Sequence, residues 1–514
     1  MSDRVGSSPD ARWTLLVAIL GSSMAFLDAT VVNVALPTMQ RELGITTGLV
    51  QWIVEAYALP LSAFVLVGGA LGDRLGRRRV FLAGVTMFAI ASAACGLAPG
   101  PVPLVLARAL QGLGAALLVP GSLALISAAY SDEDRGAAIG VWSAGSAVMS
   151  AVGPVAGGWV VAHGSWRWLF FFNVPVAAAT LLFGRALVLE TRDASVRGRL
   201  DWPGATLATL GLGLIVYALL GSEDADGNRR MVPLLCVGAL ALVAFLVVEA
   251  RGATPMVPLS LFRHGTFAGA NLLTFLLYAA LGGALFFVPF NLMQVQRYTA
   301  TEAGAALLPM VITIAVMSRG AGALATRLDA KTRIPVLLVI GPLVAALGFA
   351  LLAVPATGGG YFATFFPGIL ALGVGMGCTV APLTTTVMGA VDHGHAGLAS
   401  GINNAVARTA GLLAIAILGV VLRQRFDGAL DARLAGTSLS PVVTALVSSQ
   451  RIRLGGADLS SVTDEALRES LRRAFEEAYV SAFRTVMIVG AVLATLAAVA
   501  AIVMVRPSAG RVRS

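Results

Sequence analysis

Long apolar stretches, separated by short polar or Pro/Gly breaks, run through this chain from end to end. Cutting at the breaks leaves fourteen stretches, near 13–36, 49–72, 80–98, 103–129, 137–161, 166–189, 203–220, 231–249, 266–291, 302–325, 334–354, 361–389, 397–422 and 481–505. Each is near the ~20 residues that a helix needs to cross the hydrocarbon of a bilayer, allowing for tilt. The runs are continuous and do not alternate in short segments, so they predict helices and not the strands of a barrel.

Composition agrees with that pattern. The chain has 514 residues, 57% hydrophobic and 12% charged, with a mean hydropathy of +0.84, whereas soluble domains carry about 25% charged residues. This is the profile of an all-α integral membrane protein. The net charge of +9 does not point to nucleic acid, because the arginines lie in short loops where they orient a membrane protein. Alternate loops hold Arg74, Arg77, Arg78 and Arg79, then Arg135, then Arg192, Arg197 and Arg199, then Arg251 and Arg263, then Arg327, Lys331 and Arg333. These predict the cytoplasmic side. The opposite short loops hold Arg41, Arg229, Arg230 and Arg297 beyond an Arg167 at a span edge, so both termini are expected inside, and an even span count agrees. The long segment 423–480 is arginine-rich yet falls outside, which long loops tolerate. The first span is too long for a signal-peptide core and no small-residue cleavage site follows it, which predicts an uncleaved N-terminus.

Several chemistries find no residues. Cys95, Cys236 and Cys378 are scattered within spans, which suits packing and not a disulfide framework or a metal cluster. His163, His264, His393 and His395 do not pair around a glutamate as a metalloprotease helix would require, and "VDHGHAG" reads as a solvated loop around His393 and His395. The only lysine, Lys331, follows Ala330, so there is no phosphate-cradling loop ending in Gly-Lys-Ser/Thr. With no enzyme site, cofactor or metal indicated, the leading class is a secondary transporter driven by an ion gradient, with a channel or non-transporting sensor as its rival.

Inside the spans the ionisable residues stand out. Asp28 lies about 8 residues, roughly 12 Å, from the outer end of span 1, and Glu55 and Arg108 lie about 5 residues into spans 2 and 4 from the same side. The three are expected to share one outer layer. Charges at membrane depth usually face a protein interior or a water-filled path. An arginine favours a nearby carboxylate whereas desolvation opposes it, and a rearrangement that moves the arginine can switch a proton on or off. A static ion pair that holds spans together is the plainer alternative. Span 5 contains Gly153, Pro154, Gly157 and Gly158 within "VMSAVGPVAGGWV", which predicts a sliding seam or hinge or ordinary close packing. "GGALGDRLGRRRVFLAG", 68–84, orders Gly, Asp73 and Arg74 ahead of Gly76 and Arg77, a turn whose carboxylate meets an arginine or a neighbouring helix end. "RGAGALATRLDAKTR", 319–333, is a weaker echo of it.

Together these residues resemble the major facilitator superfamily, and in particular its fourteen-helix drug:proton antiporters. "LDATVVNVALP" (27–37) is similar to that group's first-helix signature, "GALGDRLGRRR" (69–79) to the loop 2–3 motif, "RALQGLGAA" (108–116) to the fourth-helix motif and "GPVAGG" (153–158) to the fifth-helix motif of antiporters. "SWRWLFFFNVPVA" (165–177), "DWPG" (201–204), "QVQRYTATEAGAALLP" (294–309) and "GLASGINNAVARTAG" (397–411) extend the resemblance over nearly the whole chain. Met149 departs from it, standing where the fifth-helix motif usually begins with glycine.

The resemblance implies two six-helix bundles plus two additional central helices: 1–189, an extra pair within 190–250, and 251–514 with the extracellular loop 423–480. It implies a monomeric exporter of drugs, antibiotics or other small amphipathic molecules in the cytoplasmic membrane, working with protons by alternating access. Asp28, Glu55 and Arg108 would couple protons; Asp73, Arg74, Gly76 and Arg77 would form a conformational latch; and Gly153, Pro154, Gly157 and Gly158 would form the hinge. Asn33, Tyr57, Asn173, Asn271, Tyr278, Gln294, Asn403, Asn404 and Arg408 are candidates for hydrogen bonds to cargo, against the plainer reading that polar residues at helix seams pack. The acidic sites favour a basic substrate, whereas Arg408 would suit an anionic one. The excess of arginine over lysine, with many alanines and glycines, suggests a GC-rich bacterium such as an actinomycete, and hence self-resistance. The rival on the same fold exports a metabolite, lipid or siderophore.

Overall fold

The structure, a computed structural model, describes residues 9–192, 201–220, 225–252, 255–327, 330–391, 396–435, 437 and 439–505. Arg197, Arg199, His393 and His395 lie outside the described residues, as do the side chains of Arg135, Arg229, Arg327, Lys331, Arg333 and the 319–333 echo. The described chain is helical throughout, with no strand. In order come α1 (Pro9–Leu43), α2 (Thr47–Leu75), α3 (Arg77–Leu97), α4 (Pro101–Ala129), α5 (Asp132–His163), α6 (Arg167–Phe171), α7 (Asn173–Leu187), α8 (Trp202–Leu220) and α9 (Ala225–Arg251). They are followed by α10 (Gly265–Phe290), α11 (Ala300–Arg327), α12 (Ala330–Leu352), α13 (Tyr361–Thr364), α14 (Phe366–Gly389), α15 (Ala396–Leu434), α16 (Pro441–Gln450) and α17 (Glu465–Met504).

Among the described residues twelve helices are long and apolar enough to cross a membrane, against the fourteen spans expected. The fifth and eleventh stretches are helical too, within α5 and α12, but are not among the twelve. In both helices some of the side chains lie outside the described residues, over which the count runs.

The helices overrun the apolar stretches. α1 continues to Leu43 rather than 36, so Asp28 lies farther from the helix end than expected. The sixth stretch is broken at Phe172 into α6 and α7. The largest difference is at 423–480, expected as a loop. α15 carries on to Leu434 and α17 starts at Glu465, and the intervening chain holds α16. Charge hid these helices from the apolar pattern, and charge also supports them: Arg423 pairs with Asp427 at 3.3 Å, Arg433 with Glu477 at 3.1 Å, and Arg472 with Glu469. The first and third pairs, four and three residues apart, lie on one face of their own helices, whereas Arg433–Glu477 ties α15 to α17. Asp464 caps α17 by accepting from Ala466 N (3.0 Å) and Leu467 N (3.2 Å), a cap that contributes about 1 kcal/mol.

The chain forms two compact units. The first comprises Met1–Val32, Trp52–Ile215 and Pro233–Leu259. Its core gathers Met24, Tyr57, Leu61, Phe81, Val85, Phe88, Ala115 and Leu118, with Trp142 of α5 packed edge-on against Phe26 and donating to Ser22 Oγ at 2.9 Å. The second comprises Asn33–Gln51, Val216–Val232 and Ser260–Ser514. In it α10, α12, α15 and α17 pack together around Phe267, Leu277, Phe349, Phe426, Phe475 and Tyr479, all buried.

Candidate functional site

The first unit encloses a cluster of polar side chains. Asp28 of α1, Arg108 and Gln111 of α4 and Glu55 of α2 are each at most 1% exposed. Arg108 Nη1 donates to Asp28 Oδ2 at 2.5 Å and to Gln111 Oε1 at 2.7 Å, and its Nε donates to the Ile53 carbonyl at 3.0 Å. Gln111 Nε2 donates to Asp28 Oδ1 at 3.0 Å. Both oxygens of Asp28 therefore have a donor. The guanidinium also lies over the Tyr57 ring, 4.4 Å from its centroid, a favourable placement for a cation that is weakly hydrated.

Local sequence explains how α4 reaches two helices at once. Gly112, one residue past Gln111, lies where any side chain would run into the Tyr57 carbonyl, so α2 and α4 come close enough for Nε to reach Ile53. Gln111 stands three residues after Arg108 and thus on the same helix face. It completes the cluster, although sequence reasoning had not singled it out. The available signal was a second polar side chain one turn from the arginine in an otherwise apolar run.

Glu55 behaves differently. It is fully buried, and neither carboxylate oxygen has a hydrogen-bond partner among the described residues. The expected layer of three is thus an Asp28–Arg108 ion pair closed by Gln111, with Glu55 unattached to it. Breaking a buried pair by removing one partner costs about 3–5 kcal/mol, because the other charge is left uncompensated.

The glycines of α5 meet α1 next to Asp28. A Cβ on Gly153 would strike Thr30 Oγ1 and one on Gly157 would strike Val31 Cγ2. Pro154 lies inside α5, and Pro154 and Gly158 are buried. The seam therefore lies within one helical turn of the ion pair.

At the end of α2, Asp73 Oδ1 accepts from Arg77 Nε at 2.8 Å, and Arg74 is exposed. Gly76 has a φ of 115°, which only glycine adopts without strain, and a side chain there would collide with the Glu190 carboxylate. Glu190, which sequence reasoning missed, follows α7. It accepts from Arg78 N (3.1 Å) and Arg79 N (3.2 Å), and pairs with their guanidinium groups at 3.7 and 3.6 Å. An anion at the start of α3 satisfies N–H groups that have no helical partner and complements the dipole. The Thr191 carbonyl accepts from Arg77 N at 2.8 Å. The arginine cluster is thus tied to the chain after α7 as well as to Asp73.

The remaining candidates are dispersed. Asn173 Nδ2 donates to Ser92 Oγ at 3.0 Å and joins α7 to α3. In the second unit, Asn403 of α15 donates to Asn271 Oδ1 (3.1 Å) and Thr274 Oγ1 (2.7 Å) of α10. Arg408 lies close enough to Tyr278 for its charge to act on the phenol. Gln294 Nε2 donates to Gln40 Oε1 at 2.9 Å. Asn404 is exposed and bonds its own helix at Ser400 O, and Asn33 is half-buried on α1. No group of three or more His, Cys, Asp or Glu suited to a metal occurs among the described residues.

The sequence profile of the Major Facilitator Superfamily matches residues 18–415. A puromycin resistance protein, pur8, of Streptomyces alboniger is 38% identical over 442 residues, covering 85% of this chain and 86% of its own length. The multidrug resistance protein Stp of Mycobacterium tuberculosis is 34% identical over 84% of this chain and 79% of its own. The tetracenomycin C resistance and export protein of Streptomyces glaucescens is 32% identical over 80% and 76%. The fold resembles that of a bacterial homologue of the human lysosomal transporter Spinster, with a TM-score of 0.65, 16% identity and coverage of 97% of this chain and 98% of the other.

Proposed function

The chain belongs to the major facilitator superfamily, and from that premise we propose that it is a proton-coupled antiporter. It exports drugs, antibiotics or other small amphipathic molecules across the cytoplasmic membrane by alternating access, as a monomer with both termini on the cytoplasmic side. The relatives' names, which speak of antibiotic resistance and export, support an antibiotic as cargo and self-resistance as the purpose.

One observation carries the coupling: an Asp28 carboxylate buried within a helix apolar enough to cross a membrane, with each oxygen held by a donor from α4. A proton on Asp28 removes the charge that holds Arg108. The guanidinium is then free to reorganise, and α1, which carries Asp28, is free to shift along the glycine seam with α5. Loss of the proton restores the pair. One charge moving through 100 mV releases about 2.3 kcal/mol, enough for roughly a 50-fold cargo gradient. Glu55 supplies a second acid, which serves a second proton or a cationic cargo.

The test is purified protein in liposomes with an imposed pH gradient and puromycin as cargo. Asp28→Asn keeps the side chain's shape and cannot ionise, so it is expected to abolish accumulation against the gradient while insertion survives. Wild-type accumulation by that variant would remove Asp28 from the coupling.

A further inference from the structure

A second pair of acids lies in the first unit, apart from the Arg108 cluster, where α8 begins and α9 ends. Asp201 caps α8: its Oδ1 accepts from Gly204 N at 2.8 Å, and its carbonyl accepts from Ala205 N at 3.1 Å. Glu249, 2% exposed in the last turn of α9, accepts from Val257 N through Oε2 at 2.9 Å. Each carboxyl thus has one oxygen bonded to backbone. The others, Asp201 Oδ2 and Glu249 Oε1, are sealed from solvent and receive no donor. They also converge. A Cβ on Gly204 would stand 2.5 Å from Asp201 Oδ2 and 2.9 Å from Glu249 Oε1, and the two side chains are within hydrogen-bonding reach of each other.

Two carboxylates cannot bond each other while both are ionised, and burying two like charges side by side is strongly unfavourable. The charged group that acts on Glu249 is Asp201 itself. Arg251, on the same helix, is exposed, and no described cation pairs with either acid. A bound metal ion would need six or more oxygen ligands, and two are free. We propose that Asp201 and Glu249 form a proton-binding site, holding one proton between Asp201 Oδ2 and Glu249 Oε1 and so fastening the start of α8 to the end of α9 and to the 255–258 turn. This site is independent of Asp28 and Arg108, and it stands or falls without reference to cargo.

The experiment is infrared spectroscopy of the full-length protein in lipid nanodiscs at neutral pH, reading the carbonyl band of protonated carboxyls. Asp201→Asn and Glu249→Gln should each remove the intensity of one carboxyl, and the double variant no more than either single. In each variant the new amide donates to the remaining carboxylate, which then stays ionised. Sodium and magnesium titrations should leave the wild-type band unchanged. A band lost only in Glu249→Gln would assign the proton to Glu249 alone, a band kept in both variants would remove it from the pair, and displacement by either cation would make the site a metal site. Each of these overturns the proposal. Asn is as good a helix cap as Asp, so Asp201→Asn folds and decides the matter even where Glu249→Gln does not insert.

Discussion

At the scale of single residues, Asp28 and Glu55 are opposites. Asp28 has donors on both oxygens, whereas Glu55 has none. Arg108 satisfies Asp28, Gln111 and the Ile53 carbonyl together because its guanidinium is a planar fork. The lysine ammonium keeps the charge but not the fork or the stacking on Tyr57. Each hydrogen bond to a charged group contributes about 1.5–3 kcal/mol. Arg108→Lys, which keeps the charge beside Asp28, is therefore expected to insert at a reduced level and to lose at least tenfold in drug efflux per molecule, checked by dye or drug accumulation in cells normalised to surface protein. Glu55→Gln replaces an acid that has no partner to lose, so protein level should hold. A drop in efflux, for all cargo or selectively for multiply charged cargo, is the expected result, and unchanged efflux of every compound would remove Glu55 from transport. Asp28 and Arg108 were legible in the sequence because a charge in an apolar run has few reasons to be there. Gln111 and Glu190 were not, since an amide beside an arginine and an acid at a span end both look ordinary until geometry shows what they hold.

At the scale of helices, α5 meets α1 through absent side chains. Gly153 faces Thr30 and Gly157 faces Val31, both just after Asp28 in sequence. Val31 is branched at Cβ and has little rotamer freedom in a helix, so it cannot turn aside for a new neighbour. Gly157→Leu is expected to give an inserted protein that binds drug but no longer exchanges it, read by comparing equilibrium binding with counterflow in the same liposomes. Counterflow at the wild-type rate would make the seam passive packing. That glycines would face another helix was legible from their spacing of four. Which helix they face was not, because nothing in the α5 sequence names α1. Helix ends were misjudged for a related reason: apolar patterning registers the lipid-facing part and stops where Asp427, Asp431, Glu469 and Glu476 begin, although these residues continue the helices through ion pairs with arginines.

At the scale of the whole molecule, the arrangement of positive charge argues for one orientation. Arg77, Arg78 and Arg79 open α3 and are bound by Asp73 and Glu190, and Arg263 lies in the turn ahead of α10. The positive-inside rule counts such arginines in short loops and predicts that both sites face the cytoplasm. The 435–464 segment is arginine-bearing as well, but Arg451 there is paired with Asp431, and longer segments translocate largely regardless of charge. Single cysteines placed in a background lacking Cys95, Cys236 and Cys378 test this. A thiol reagent that cannot cross the membrane should label, from outside intact cells, a cysteine at Gly358 or Ser461, both exposed. It should reach one at Arg79 or Arg263 only after the cells are opened. If fourteen helices cross, an odd number of crossings separates each of the first pair from each of the second, so the two pairs must label from opposite sides. Labelling of all four from one side would mean that one or all three of the helices between Arg263 and Gly358, α10, α11 and α12, fail to cross, whereas failure of α5 alone would separate Arg79 from Arg263.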